Sequence, residues 1–117
     1  FSGLFGLRAL FAEPTLFDKY LLASPSIWWH DRVMLDLEAD YAATHDDLAA
    51  SVFLTAGEEE DLLEGFNMCG NVVDMAERLQ GRGYPGLDVA HVILPAESHS
   101  STIGAAVSRG IRHLFAE

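Results

Sequence analysis

The sequence predicts an α/β fold, a parallel sheet layered between helices in a three-layer α/β/α arrangement. Three observations carry this. Helix-like and strand-like segments alternate at short spacing along the whole chain. The runs KYLLA at 19–23, SVFLTA at 51–56 and LDVAHVIL at 87–94 read as buried strands. The stretches between them are long enough for helical crossovers, which make successive strands parallel with right-handed connections.

The elements follow in order. Residues 3–12, GLFGLRALFA, form a helix with Leu4, Leu7, Leu10 and Phe11 near one face. Glu13-Pro14 ends it, because the residue before a proline avoids the helical region. The strand at 19–23 is broken by Ser24-Pro25-Ser26. Residues 27–30 read as loop, and Asp31 is placed to cap a helix over about 32–43. The second strand ends at Gly57, and an acidic loop covers 58–64. A helix over 68–80 carries the stripe Val72, Met75, Ala76 and Leu79 and stops at Gly81 and Gly83. The third strand is followed by a loop at 95–99. The last helix, 101–115, is expected to bury Ile103, Ala106, Val107, Ile111 and Leu114, with Arg109, Arg112 and His113 late in it, where cations suit the dipole.

Composition removes several classes of function. Seven Lys and Arg stand against 18 Asp and Glu, a formal charge of −11 in 117 residues, half of them hydrophobic. Neutralising nucleic-acid phosphates takes a basic patch, so a nucleic-acid partner is not expected. Neither is an anionic membrane surface, and no apolar run approaches the ~20 residues of a membrane span. The lone Cys69 can form no internal disulfide. It fits cytoplasm or periplasm, and the reading takes the cytoplasm first. No H-x-x-H, H-E-x-x-H or C-x-x-C pattern and no phosphate loop occurs, so neither a metal nor any other cofactor is expected. Three strands are few for a free-standing sheet of this type, and the leading helix lacks a strand to feed it. The expectation is one part of a larger sheet.

In an open parallel sheet, sites gather at the carboxyl ends of the strands. Three loops leave those ends here, at 24–31, 57–64 and 95–100. The third holds His99, which fits a general base held between a strand and a helix, or a loop histidine capping that helix. The second holds Glu58, Glu59, Glu60 and Asp61. One of these carboxylates could fix the histidine tautomer, and the run does not say which. The first holds Trp28 and Trp29, which fit either a pocket wall or a core ring covered by its neighbour.

Taken together, SGLFGLRALF from Ser2, FDKYLLASPSIWW from Phe17, VFLTAGEEE from Val52, Asn67-Met68 and PAESHS from Pro95 resemble a known family. The chain resembles the C-terminal half of the α/β-hydrolase group that includes the ferric-enterobactin esterases. The resemblance implies a serine esterase acting through an acyl-serine intermediate on a small-molecule ester. The nucleophile elbow precedes the first helix in that fold, which sets the serine just before Phe1, outside this sequence. His99 is then the base and Glu60 the acid, with Glu59 and Asp61 as rivals. The backbone N–H of Phe1 becomes an oxyanion donor, and Trp28 and Trp29 line the acyl or aryl pocket. Ser2 does not fit the elbow, because Leu4 stands where the turn needs glycine. An anionic siderophore would want a cation nearby, and Arg32 is the candidate. The missing N-terminal half is the expected partner, and the exposed edge of the strand at 19–23 suggests a homo-oligomer as well. The competing reading is a non-catalytic binding or assembly module of the same fold.

Overall fold

The computed structural model describes residues 2–62 and 65–116. The chain runs α1 (Ser2–Ala12), β1 (Lys19–Ala23), α2 (Trp29–Thr44), β2 (Ala50–Gly57), a short 3-10 helix (Glu58–Leu62), α3 (Met68–Gly81), β3 (Leu87–Leu94) and α4 (Thr102–Leu114). The strands lie in the order β1-β2-β3 and both pairs are parallel. Leu22 sits beside Leu54 and Leu54 beside His91 in the register.

Adjacent side chains on a strand point to opposite faces of the sheet. Two close approaches show which helix covers which face. A Cβ on Gly6 of α1 would fall 2.4 Å from Leu22 Cδ2, and one on Gly110 of α4 would fall 2.3 Å from Leu21 Cδ1. Leu21 and Leu22 are neighbours, so α1 and α4 flank the sheet from opposite sides. This is the predicted three-layer arrangement. The α1 side holds the main core, where Leu7, Leu10, Val52, Leu54, Val72, Met75, Ala76 and Leu79 are fully buried. Full burial of a side chain of this size contributes roughly 1.5–3 kcal/mol. Glu38 of α2 is also fully buried on this side. It accepts from Arg82 Nε and Nη2 at 2.8 and 2.9 Å, with Arg78 Nη1 at 3.8 Å, and so ties α2 to the end of α3.

Three sequence expectations are corrected. On α4 the buried residues are Thr102, Ala106, Gly110 and Leu114, whereas Ile103, Val107 and Ile111 are exposed. Small residues at 106 and 110 let the helix settle close against β1, and that rotation turns the larger apolar stripe outward. Asp31 is not a helix cap. His30, Asp31 and Arg32 all have left-handed backbone, with φ of 52, 51 and 61°. The right-handed helix therefore starts only after them. Each such non-glycine residue costs on the order of 1 kcal/mol or more. The acidic loop differs too: its first half is the 3-10 helix, while Leu63 and Glu64 lie outside the described residues.

Candidate active site

Parallel strands bring their carboxyl ends to one edge, so the segments after β1, β2 and β3 meet there. The 3-10 helix follows β2 without a linker, and its third residue, Glu60, turns back under the strand end. Glu60 is 1% exposed. A carboxylate at that depth needs partners, because an unpaired buried charge is costly. Three groups meet it. Oε1 accepts from the Gly57 backbone N–H at 2.7 Å and from the Ser24 hydroxyl at 2.5 Å. Oε2 lies 2.9 Å from Nδ1 of His99.

Backbone geometry requires this closeness. A Cβ on Gly57 would meet the Glu97 carbonyl oxygen at 2.4 Å and Glu60 Oε1 at 3.3 Å. Glycine is what lets the loop after β3 lie against the end of β2. The Glu59 N–H donates to the Glu97 carbonyl at 2.9 Å and pins that loop. Ala96 within the loop has φ of 58°, which turns the chain sharply toward His99.

The structure brings Glu60 and His99 together and separates the rivals from them. Glu59 is exposed. Asp61 is exposed and accepts the Cys69 backbone N–H at 3.0 Å, which serves the start of α3. The His99 side chain is 69% exposed while Glu60 is sealed beneath it. Ser2, Gly3, Ala23, Ser24, His99, Thr102 and Ile103 line a cavity of about 120 Å³. The start of α1 and the imidazole therefore face the same space. Phe1, the expected oxyanion donor, lies outside the described residues.

The two tryptophans part company. Trp28 stacks on Phe66 with ring centroids 4.5 Å apart, and it lines a cavity of about 330 Å³ with Asp31, Arg32, Phe66, Asn67 and Asn71. Trp29 stands outside that cavity and tilts over His30 at 5.2 Å. Arg32 lines the cavity, but its Nη2 is engaged by Asp74. Sequence reasoning did not find Phe66, which becomes a wall only through its stack on Trp28, nor the Ser24 hydroxyl on Glu60. The signal for Ser24 was its position one residue past a strand's carboxyl end. Cys69 is half-buried, and its thiol donates to the Gly57 carbonyl at 3.2 Å. Burial first, then Asp61, Glu60 and Glu58, push it up to about 12, which keeps it protonated at neutral pH. Among the described residues, no group of three or more His, Cys, Asp or Glu is placed to hold a metal ion.

A parallel three-layer sheet with a buried acid under an exposed histidine at its carboxyl edge is an arrangement of the α/β-hydrolase class. Comparison with known proteins narrows the class. No family model matches the chain. It is similar to the siderophore triacetylfusarinine C esterase of Aspergillus fumigatus, 27% identical over 140 aligned positions covering 98% of this chain and 46% of that protein. It is similar to the ferri-bacillibactin esterase BesA of Bacillus subtilis, 29% identical over 95% of this chain and 39% of that one. The solved siderophore hydrolase EstA from Aspergillus nidulans superposes with a TM-score of 0.82 at 32% identity, covering 96% of this chain and 43% of that structure. The chain is thus similar, along nearly its whole length, to siderophore esterases, and it shares the α/β-hydrolase fold with the solved ones. It spans less than half the length of the relatives it matches.

Proposed function

We propose that the protein to which this chain belongs is a serine-dependent carboxylic ester hydrolase acting on siderophore-type esters, and that this chain supplies its general base and acid. The reading is carried by one observation, the hydrogen bond between the buried Glu60 carboxylate and His99 Nδ1 at the carboxyl edge of the sheet. The similarity to siderophore esterases supports the substrate class.

In this mechanism a serine immediately before Phe1, at the turn into α1, attacks the ester carbonyl. His99 Nε2, the ring nitrogen that Glu60 does not engage, takes the hydroxyl proton. Glu60 holds the tautomer with the proton on Nδ1 and stabilises the imidazolium that forms. The tetrahedral intermediate's oxyanion is held by backbone N–H groups, that of Phe1 among them. His99 then passes its proton to the leaving alcohol as the C–O bond breaks and the acyl-serine remains. A water molecule, deprotonated by the same imidazole, releases the acid and frees the serine. Trp28 and Phe66 supply an apolar wall for the acyl or aryl part, with Arg32 at its rim.

The test is made on the whole protein. A fluorophosphonate probe should label a single serine, the residue before Phe1, as read by intact and peptide mass. His99→Ala should lower kcat about a thousandfold, the middle of the range a positioned general base supplies. Labelling of Ser2, Ser98 or Ser100 instead would overturn the assignment of the nucleophile. Failure of folded whole protein to label at all, with function indifferent to His99→Ala, would favour a non-catalytic binding or assembly module.

A further inference from the structure

Ser24 has no part in the chemistry just described, yet its side chain is the nearest neighbour of the acid. It is 8% exposed and lies one residue beyond β1. Its N–H donates to the Thr55 carbonyl at 2.8 Å and so continues the ladder between β1 and β2. Its φ is 48°, in the left-handed region that a serine rarely occupies. Strain of this kind persists only where the surroundings impose it, and it collects at functional sites. Here the unusual backbone accompanies a hydroxyl that meets Glu60 Oε1 at 2.5 Å, the short end of the range for a hydroxyl donating to a carboxylate, roughly 2.5–2.7 Å.

We infer that Ser24 is a positioning residue for the acid–base pair: its hydroxyl, with the Gly57 N–H, clamps one oxygen of Glu60 so that the other stays directed at His99. The inference rests on the esterase reading of Glu60 and His99. The physical logic is geometric. A carboxylate can turn about its last bond. Two donors of different origin on Oε1, one from the β1 end and one from the β2 end, fix its plane. Oε2 is then left to His99 alone among the described residues. With only the Gly57 bond left, the carboxylate has a single anchor and samples orientations that do not serve the imidazole. Productive alignment is worth much of a catalytic group's effect. The scheme gives Ser24 no bond to the reacting atoms, so its influence on turnover passes through Glu60.

The experiment compares Ser24→Ala and Ser24→Gly in the whole protein, each also combined with Glu60→Ala. Ester turnover and thermal stability are measured, with His99→Ala as the reference. Glycine relieves a positive φ that alanine does not, so the two variants separate the hydroxyl from the backbone. The expected result is a loss of about tenfold in kcat for both, with KM within twofold and Ser24→Gly at least as stable as the parent. On the Glu60→Ala background the same changes should cost nothing further, because residues that act as one unit are not additive. Recovery of full kcat in Ser24→Gly would assign the effect to backbone strain and overturn the inference. An equal loss on the Glu60→Ala background would overturn it as well. Turnover abolished by His99→Ala but untouched by both Ser24 variants defeats the role of Ser24 alone. Turnover that survives His99→Ala defeats the esterase reading, and the role of Ser24 falls with it.

Discussion

The thiol of Cys69 donates to the Gly57 carbonyl and faces Asp61, Glu60 and Glu58, and its proton is held up to about 12. Thiolate, not thiol, is the form that reacts with alkylating agents. Cys69 should therefore react with iodoacetamide at pH 8 about a hundredfold more slowly in the folded chain than after denaturation, as followed by mass. The same shift has a consequence for stability. An unfolded cysteine gives up its proton near about pH 8.5, whereas the folded one keeps it up to about 12. The thiol's contribution is thus fully present below about pH 8.5 and is lost as pH rises toward 12. Tyr20, Tyr41 and Tyr84, all raised chiefly by burial, act in the same direction at higher pH. At this scale much of the site was legible. A histidine after a strand and an acid run after the preceding strand limit the pairings, and topology brings the two loops together. Ser24 was not legible as a partner of Glu60. It lies 36 residues away in sequence, and its approach depends on a left-handed turn that composition does not announce.

Between elements, the clamp of α2 onto α3 is the clearest case of charge inside the fold. Glu38 is sealed, while the Arg78 and Arg82 side chains are about two-fifths exposed or less, at 40% and 36%. Neighbouring Glu38 also raises the Arg82 guanidinium further, through its hydrogen bond first and its charge second. Removing one partner of a buried pair leaves the other uncompensated, which costs about 3–5 kcal/mol. Both arginines can turn toward water, so Glu38→Ala should cost less than that, about 2 kcal/mol, the scale of a lost hydrogen bond to a charged group. Urea unfolding would read it as a lower midpoint. Element order and most boundaries followed from hydrophobic period and from the Gly and Pro stops. The face of α4 did not. Periodicity favours the bulky stripe Ile103, Val107 and Ile111, but Gly110 permits an approach to Leu21 that only small residues allow. A pattern of large side chains says nothing about how close a helix can come. The start of α2 was misread for a related reason: Asp31 suits a cap and a left-handed turn equally well, and sequence does not choose between them.

As a whole, the sheet has β1 and β3 at its two edges among the described residues, and α4 alone covers one face. Ile103, Val107, Ile111 and Phe115 are all exposed along that helix. An edge strand beside an apolar stripe invites pairing with another chain. The 117-residue chain by itself should self-associate, and the triple change Ile103→Lys, Val107→Lys and Ile111→Lys should shift it toward monomer in sedimentation experiments. With a formal charge of −11, copies repel one another, so added salt should favour association by screening that repulsion. The hydrogen-bonded run from Ser24 through Glu60 to His99 has a bearing at this scale too. Its three members hang from the ends of β1, β2 and β3 in turn, so the run crosses the sheet at right angles to the strands, like a strap drawn over three planks. Fraying at either outer plank slackens the strap at its middle. The amide proton of Gly57, tied to the same carboxylate, thereby becomes a gauge of the sheet's own integrity. Its exchange with solvent, followed by mass or NMR, should therefore track whichever edge opens first.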